Sequence, residues 1–169
     1  MDALEHLAKK PWWNYVETDI QELLYESLLL LRTLKGMGAD LPGARREFHD
    51  YSFVVFPAAK AYEGFLKKLF LDLKFITDED YYGKRFRIGK ALNPSLEKEI
   101  RRMGVYDKIV THCNGRVMAD KMWETWKESR NMIFHWFPNE KNAINLSEAE
   151  DRIRMIVDAI DESFKECKI

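Results

Sequence analysis

Apolar residues recur along this chain with a period near 3.6, and the recurrence divides it into helical runs separated by short breaks. Leu23, Leu24, Leu28 and Leu31 share one face of a run that opens at Thr18-Asp19-Ile20-Gln21, a capping-box pattern, and stops at Gly36. Residues 36–43 hold Gly36, Gly38, Pro42 and Gly43 and read as a loop. A second run from about residue 45 to residue 74 carries Ala58, Ala61, Tyr62, Phe65, Leu66, Leu69, Phe70 and Leu73 on one face. Pro57 is expected to kink or restart it, because proline removes a backbone donor and crowds the preceding turn. Residues 53–56, Phe-Val-Val-Phe, are β-like in composition, but helical pattern on both sides makes them buried helix. Residues 77–93 are less regular; a short helix is expected over 95–103 and another over 106–112, and Asn114-Gly115 signals a turn. Residues 118–137 contain no Gly or Pro and predict a long helix that Pro138 stops. After a loop to Asn145, Ser147-Glu148-Ala149-Glu150 has a capping-box pattern. It opens a last helix with Ile153, Ile156, Val157, Ile160 and Phe164 on its apolar face.

No strand pair, hairpin turn, repeat or linker interrupts this series. The pattern predicts an all-α bundle of four to five main helices in one domain, 1–169. Residues 1–17 form a lead-in whose Pro11-Trp12-Trp13 cluster packs back on the body. A chain of 169 residues is long enough to bury a sizeable core. The net charge of −1 argues against a general nucleic-acid binder, so any basic surface is local, and the one basic patch lies within 84–102. Cys113 and Cys167 have no metal-ligand spacing and no partner pattern, so they read as reduced thiols, with neither zinc nor disulfide expected. No signal-peptide core precedes the first helix and no apolar run approaches about 18 residues, so a soluble, cytoplasmic chain with no membrane partner is expected.

The chemistry concentrates in W-K-E-S-R-N-M-I-F-H-W-F-P, residues 126–138. On a straight helix at about 100° per residue, Ala119, Met122, Trp123, Trp126, Ile133, Phe134 and Phe137 all lie within roughly 80° of Arg130. The arginine therefore sits in the middle of the apolar stripe, and a guanidinium there must find a partner or water, since it cannot lose its charge. His135 lies about 140° away, beside Asn131, Glu124 and Glu128. The two side chains converge only on a groove along one flank, near Lys127 and Asn131. The competing reading is a buried structural arginine with an unrelated surface histidine. No H-E-x-x-H and no Glu-x-x-His pair is present, and Gly83 to Gly89-Lys90 fails as a phosphate loop because Ala91 stands where Ser or Thr is needed. No cofactor or metal is expected.

Arg130-Asn131-Met132-Ile133-Phe134-His135, an R-x4-H with a polar amide in second place, resembles the signature of the HEPN superfamily (higher eukaryote and prokaryote nucleotide-binding domains). The resemblance covers the chain from about Phe48 to the last helix. Within the superfamily, residues 56–69, F-P-A-A-K-A-Y-E-G-F-L-K-K-L, are similar to a helix of the catalytic domain of RNase LS-type toxins, which carries an Arg-x-x-Glu pair before a glycine. Glu63 and Gly64 match that pair's acid and glycine, and Lys60 departs from its arginine, keeping the charge but losing the bidentate fork. An i,i+3 surface ion pair is the other reading of Lys60 and Glu63.

The resemblance implies a HEPN-like bundle acting as a metal-independent endoribonuclease, the toxin of a toxin–antitoxin system. It would be a homodimer with a composite cleft, with RNA as substrate and a neighbouring antitoxin protein as inhibitor. The expected reaction is attack of a ribose 2′-OH on the adjacent phosphate, giving a 2′,3′-cyclic phosphate. His135 would be the base or acid and Arg130 the fixed cation on the phosphoryl oxygens. Asn131 would orient the imidazole or the phosphate. Glu63 would orient His135 or Arg130, or share the acid–base work, and Lys60 would add charge. A non-catalytic HEPN module that binds a nucleotide or docks a protein is the alternative.

Overall fold

A computed structural model describes residues 3–37, 48–138 and 141–167. The elements are a 3-10 segment Ala3–Lys9, α1 Thr18–Met37, α2 Ser52–Asp72, α3 Asp78–Tyr82, α4 Ile88–Leu92, α5 Lys98–Arg102, α6 Tyr106–His112, α7 Gly115–Trp126, a π turn Lys127–Asn131 and α8 Leu146–Glu166. The protein is an all-α bundle, with no strand among the described residues. The second run, expected to be helical from about residue 45, begins only at Ser52: residues 48–51 are not helical, and 45–47 lie outside the described residues.

The helix α2 is the central post and packs against α1, α8, α4 and the π turn. Its face of Ala58, Ala61, Tyr62, Phe65, Leu66, Leu69 and Phe70 is buried, as its spacing predicts, whereas Leu73, expected on the same face, is the C-cap and only partly buried. Pro57 neither breaks nor restarts it. A proline ring crowds the carbonyl one turn back and disturbs the neighbouring donors; here the Ala58 N–H donates to the buried Ser27 Oγ of α1 at 2.8 Å. Residues 53–56 are helical as expected, but only Val54 and Val55 are buried, and Phe53 and Phe56 face outward.

The helices α7 and α8 run antiparallel. Cys113 meets Cys167, Lys121 pairs with Glu162, and Glu128 pairs with Arg152, so positions rising along one helix meet positions falling along the other. The cysteines, expected as free thiols, form a buried disulfide with Cα atoms 4.4 Å apart. Nothing in their spacing signals it, because two antiparallel helix ends bring them together across 54 positions. Trp12 packs back on the body as expected, fully buried, and its Nε1–H donates to Asp161 of α8 at 3.1 Å.

Two helix starts differ from the expected caps. At α1 the Ile20 and Gln21 amides donate to the Glu17 carbonyl, and the Gln21 side chain donates to Trp13 O at 2.7 Å rather than closing a box on Thr18. At α8 the box is made by Asn145 and Glu148, two residues earlier than Ser147 to Glu150. The short helix expected over 95–103 is shorter, Lys98–Arg102, whereas 106–112 is helical as expected. The Asn114-Gly115 turn is formed with φ of 45° and 72°, the left-handed region that glycine and asparagine tolerate best.

Candidate functional site

The expected long helix over 118–137 does not form as one element. It is α-helical to Trp126, widens into a π turn over Lys127–Asn131, and leaves helical structure before Pro138. The Met132 amide reaches back five residues to the Lys127 carbonyl at 2.8 Å. One buried hydroxyl supports the bulge: Ser129 Oγ donates to the Thr125 carbonyl at 2.5 Å. A turn above it, the Tyr62 hydroxyl donates to the Met122 carbonyl at 3.2 Å, and burial pushes its pKa up. The π turn is tied to α8 by Glu128, whose carboxylate lies 3.2 Å from the Arg152 guanidinium. Such bulges are rare and recur at functional sites.

This geometry moves Arg130 off the centre of the core stripe. The guanidinium is half-buried, 5.3 Å above the Trp126 ring, a cation–π contact. No carboxylate lies within ion-pair distance of it among the described residues: Glu128 is committed to Arg152, and Glu124 to Lys127 at 3.3 Å. Trp126 is buried and its Nε1 would stand 2.9 Å from a Cβ at Gly89, so the glycine of α4 lets the indole lie directly against the backbone.

His135 lies past the helical part, exposed, in an open groove of about 1110 Å³ between the starts of α2 and α8. Arg130 does not line that groove, so within one chain the expected convergence near Lys127 and Asn131 is not formed. A π turn that contains Arg130 and a helical part that ends before His135 break the angular relation on which that expectation rests. Asn131 is exposed at the end of the π turn. The His135 carbonyl accepts from Asn142 Nδ2 at 3.0 Å. The groove wall is fixed by Asp50, which accepts from the Ser52 and Ile144 amides, and by the Tyr51 amide donating to the Ile144 carbonyl at 2.9 Å. Its rim is aromatic: Phe48, Phe56 and Phe137 are largely exposed, and Trp136 is 83% exposed. His49 and Lys141 also line it. Neither has a motif spacing to His135, and only the chain reversal between α2 and α8 brings them to the same hollow.

Lys60 and Glu63 do not pair with each other. Lys60 is exposed, with its Nζ 5.9 Å from the Phe56 ring, and Phe56 meets Phe134 edge-on at 5.5 Å, so Lys60 stands behind the aromatic rim. Glu63 faces Lys67 at 3.8 Å along α2, not Arg130 or His135. Gly64 has a packing role: a Cβ there would stand 2.8 Å from Ile20 Cδ1, so it sets the close approach of α1 and α2. Among the described residues no group of three or more His, Cys, Asp or Glu is arranged to hold a metal ion, and no helix is long and apolar enough to cross a membrane.

No family model, no curated protein and no solved structure matches this chain.

Proposed function

We propose that the protein is a HEPN-type, metal-independent endoribonuclease that cleaves RNA by attack of a 2′-OH on the neighbouring phosphate. The observation that carries this reading is Arg130. It is a permanent charge, partly withdrawn from water, seated on an indole, and denied a carboxylate because the acids near it are engaged elsewhere. Such a cation is ready for an anionic ligand, and a guanidinium matches phosphoryl oxygens in a fork. A few residues on, His135 stands in an open groove with a second histidine, His49. Histidine changes charge near neutral pH, as in-line transesterification at phosphorus requires of its base and its acid.

In this reading Arg130 steadies the charge that builds on phosphorus and His135 moves the proton. Asn131 orients the phosphate and Lys60 adds positive potential behind the groove, whereas Glu63, turned to Lys67, takes no part within one chain. Because Arg130 and His135 of one chain do not share a groove, the site is completed by a second copy, and the aromatic rim of Phe48, Phe56, Trp136 and Phe137 is the surface that this copy covers. A free ribonuclease harms its own cell, so the chain is the toxin of a toxin–antitoxin pair, held in check by a neighbouring antitoxin. The same exposed rim favours one other reading, a non-catalytic module that docks a protein through those aromatics. End-group analysis separates the two. The nuclease leaves 2′,3′-cyclic phosphate and 5′-hydroxyl ends and stops at a site carrying a single 2′-deoxyribose. A folded dimer that leaves several RNAs intact is a docking module.

A further inference from the structure

Residues 84–102 concentrate charge that the rest of the chain does not share. They hold Lys84, Arg85, Arg87, Lys90, Lys98, Arg101 and Arg102 against Glu97 and Glu99, in a chain whose net charge is −1. Arg101 is paired with Asp107 at 2.9 Å. Arg85, Arg87 and Lys90 are exposed and have no ion-pair partner among the described residues, although Arg87 also donates to the Lys84 carbonyl. These three cations line a hollow of about 250 Å³ together with Phe86, Leu96, Met103 and one carboxylate, Asp80, which is engaged in the cap of α3 with Thr77. Met103, 87% exposed, stands at its edge, and Phe86 and Leu96 are half-buried beneath.

This basic segment is attached to the candidate site through one side chain. Gly89, between Arg87 and Lys90, lies against the Nε1 edge of Trp126, and Arg130 lies over the same indole. The Gly89 backbone and the Arg130 guanidinium therefore touch the same indole, although they are far apart in sequence.

We propose that Arg85, Arg87 and Lys90 continue from Arg130 as one cationic track that holds the backbone of a single-stranded RNA, with one unstacked base in the hollow over Phe86. The inference rests on the ribonuclease reading and extends it to the substrate's form. A row of unpaired cations suits successive phosphates. An aromatic and apolar floor beneath it takes the face of a base, which only an unpaired strand presents. A protein partner with acidic side chains would have no use for the alternation of charge and aromatic floor.

The test is fluorescence anisotropy with a labelled single-stranded RNA of about a dozen nucleotides, 2′-O-methylated so that it cannot be cleaved, titrated between about 50 and 200 mM salt. The triple variant Arg85→Gln, Arg87→Gln, Lys90→Gln is compared with wild type. It is also compared with Lys9→Gln, Lys165→Gln, which removes one cation from the N-terminal 3-10 segment and one from the last turn of α8, neither of which lines the hollow. Unfolding curves of all three proteins establish that the exposed substitutions leave the fold intact. The expected result is a loss of about tenfold or more in affinity for the triple variant. The log–log salt slope should shrink by about 2, as for the loss of three single-strand phosphate contacts, with little change in the control. Unchanged binding by the triple variant of a wild type that cleaves RNA overturns the track and leaves the nuclease standing. Equal affinity for duplex RNA overturns it too, as does a wild type that binds no RNA. Binding that depends on these cations in a chain that cleaves nothing supports the track and removes the nuclease.

Discussion

Arg130, Trp126 and Gly89 form a stack in which each residue depends on the next: the cation rests on the indole, and the indole rests on a backbone with no side chain in the way. A methyl group at position 89 would meet Trp126 Nε1 at 2.9 Å, closer than real contacts allow. The Gly89→Ala variant is therefore expected to lose about 1–3 kcal/mol, as overpacked cores do. It should also lower activity on RNA by displacing Arg130, although it touches no substrate. Urea midpoints and cleavage rates check the two effects; an unperturbed midpoint would mean that the indole has room to move. At this scale the sequence was partly legible. Arg130 stands out because a charge falls within an apolar stripe, and Trp126 because it shares that stripe. The absence of an acid partner was not legible, since it depends on Arg152 of α8 capturing Glu128. Glu63 and Lys60 looked like a pair from their spacing, yet each turned to the neighbour its helix face offered, Lys67 and Phe56.

At the scale of elements, periodicity located the helices well and their interruptions poorly. The α2 face read correctly because its buried positions repeat without a break. Pro57 was expected to disturb it, and the helix runs through because a residue of another helix takes up the neighbouring donor. Ser27→Ala would leave the buried Ala58 N–H without that acceptor, and a cost of about 1–3 kcal/mol is expected in equilibrium unfolding. A neutral result would show that the donor is satisfied within α2. The π turn left no mark in the hydrophobic pattern, because K-E-S-R-N differs from an ordinary helical surface only in the hydroxyl of Ser129. Missing it displaced the expected groove: on a straight helix Arg130 and His135 flank one slot, whereas the bulge and the early end leave the histidine facing α2 and α8.

For the whole molecule, the fold class was legible and the closure of the bundle was not. The Cys113–Cys167 bond joins the start of α7 to the end of α8, enclosing 54 positions. By chain entropy a loop of that length stabilises by about 4 kcal/mol. For a chain of this size that corresponds to a melting temperature roughly 10 °C higher when oxidised than when reduced. Calorimetry with and without a thiol reductant measures it, and equal melting temperatures would show that the sulfurs are not bonded in solution. The proposed activity calls for a second copy, since Arg130 does not line the groove that holds His135. The most direct measurement is RNA cleavage in excess EDTA by wild type, Arg130→Ala and His135→Ala, each verified as folded. Undiminished cleavage by wild type, with losses of about 10²-fold or more in both variants, is the expected result. Cleavage that persists in either variant, or that wild type performs only with added metal, would contradict it.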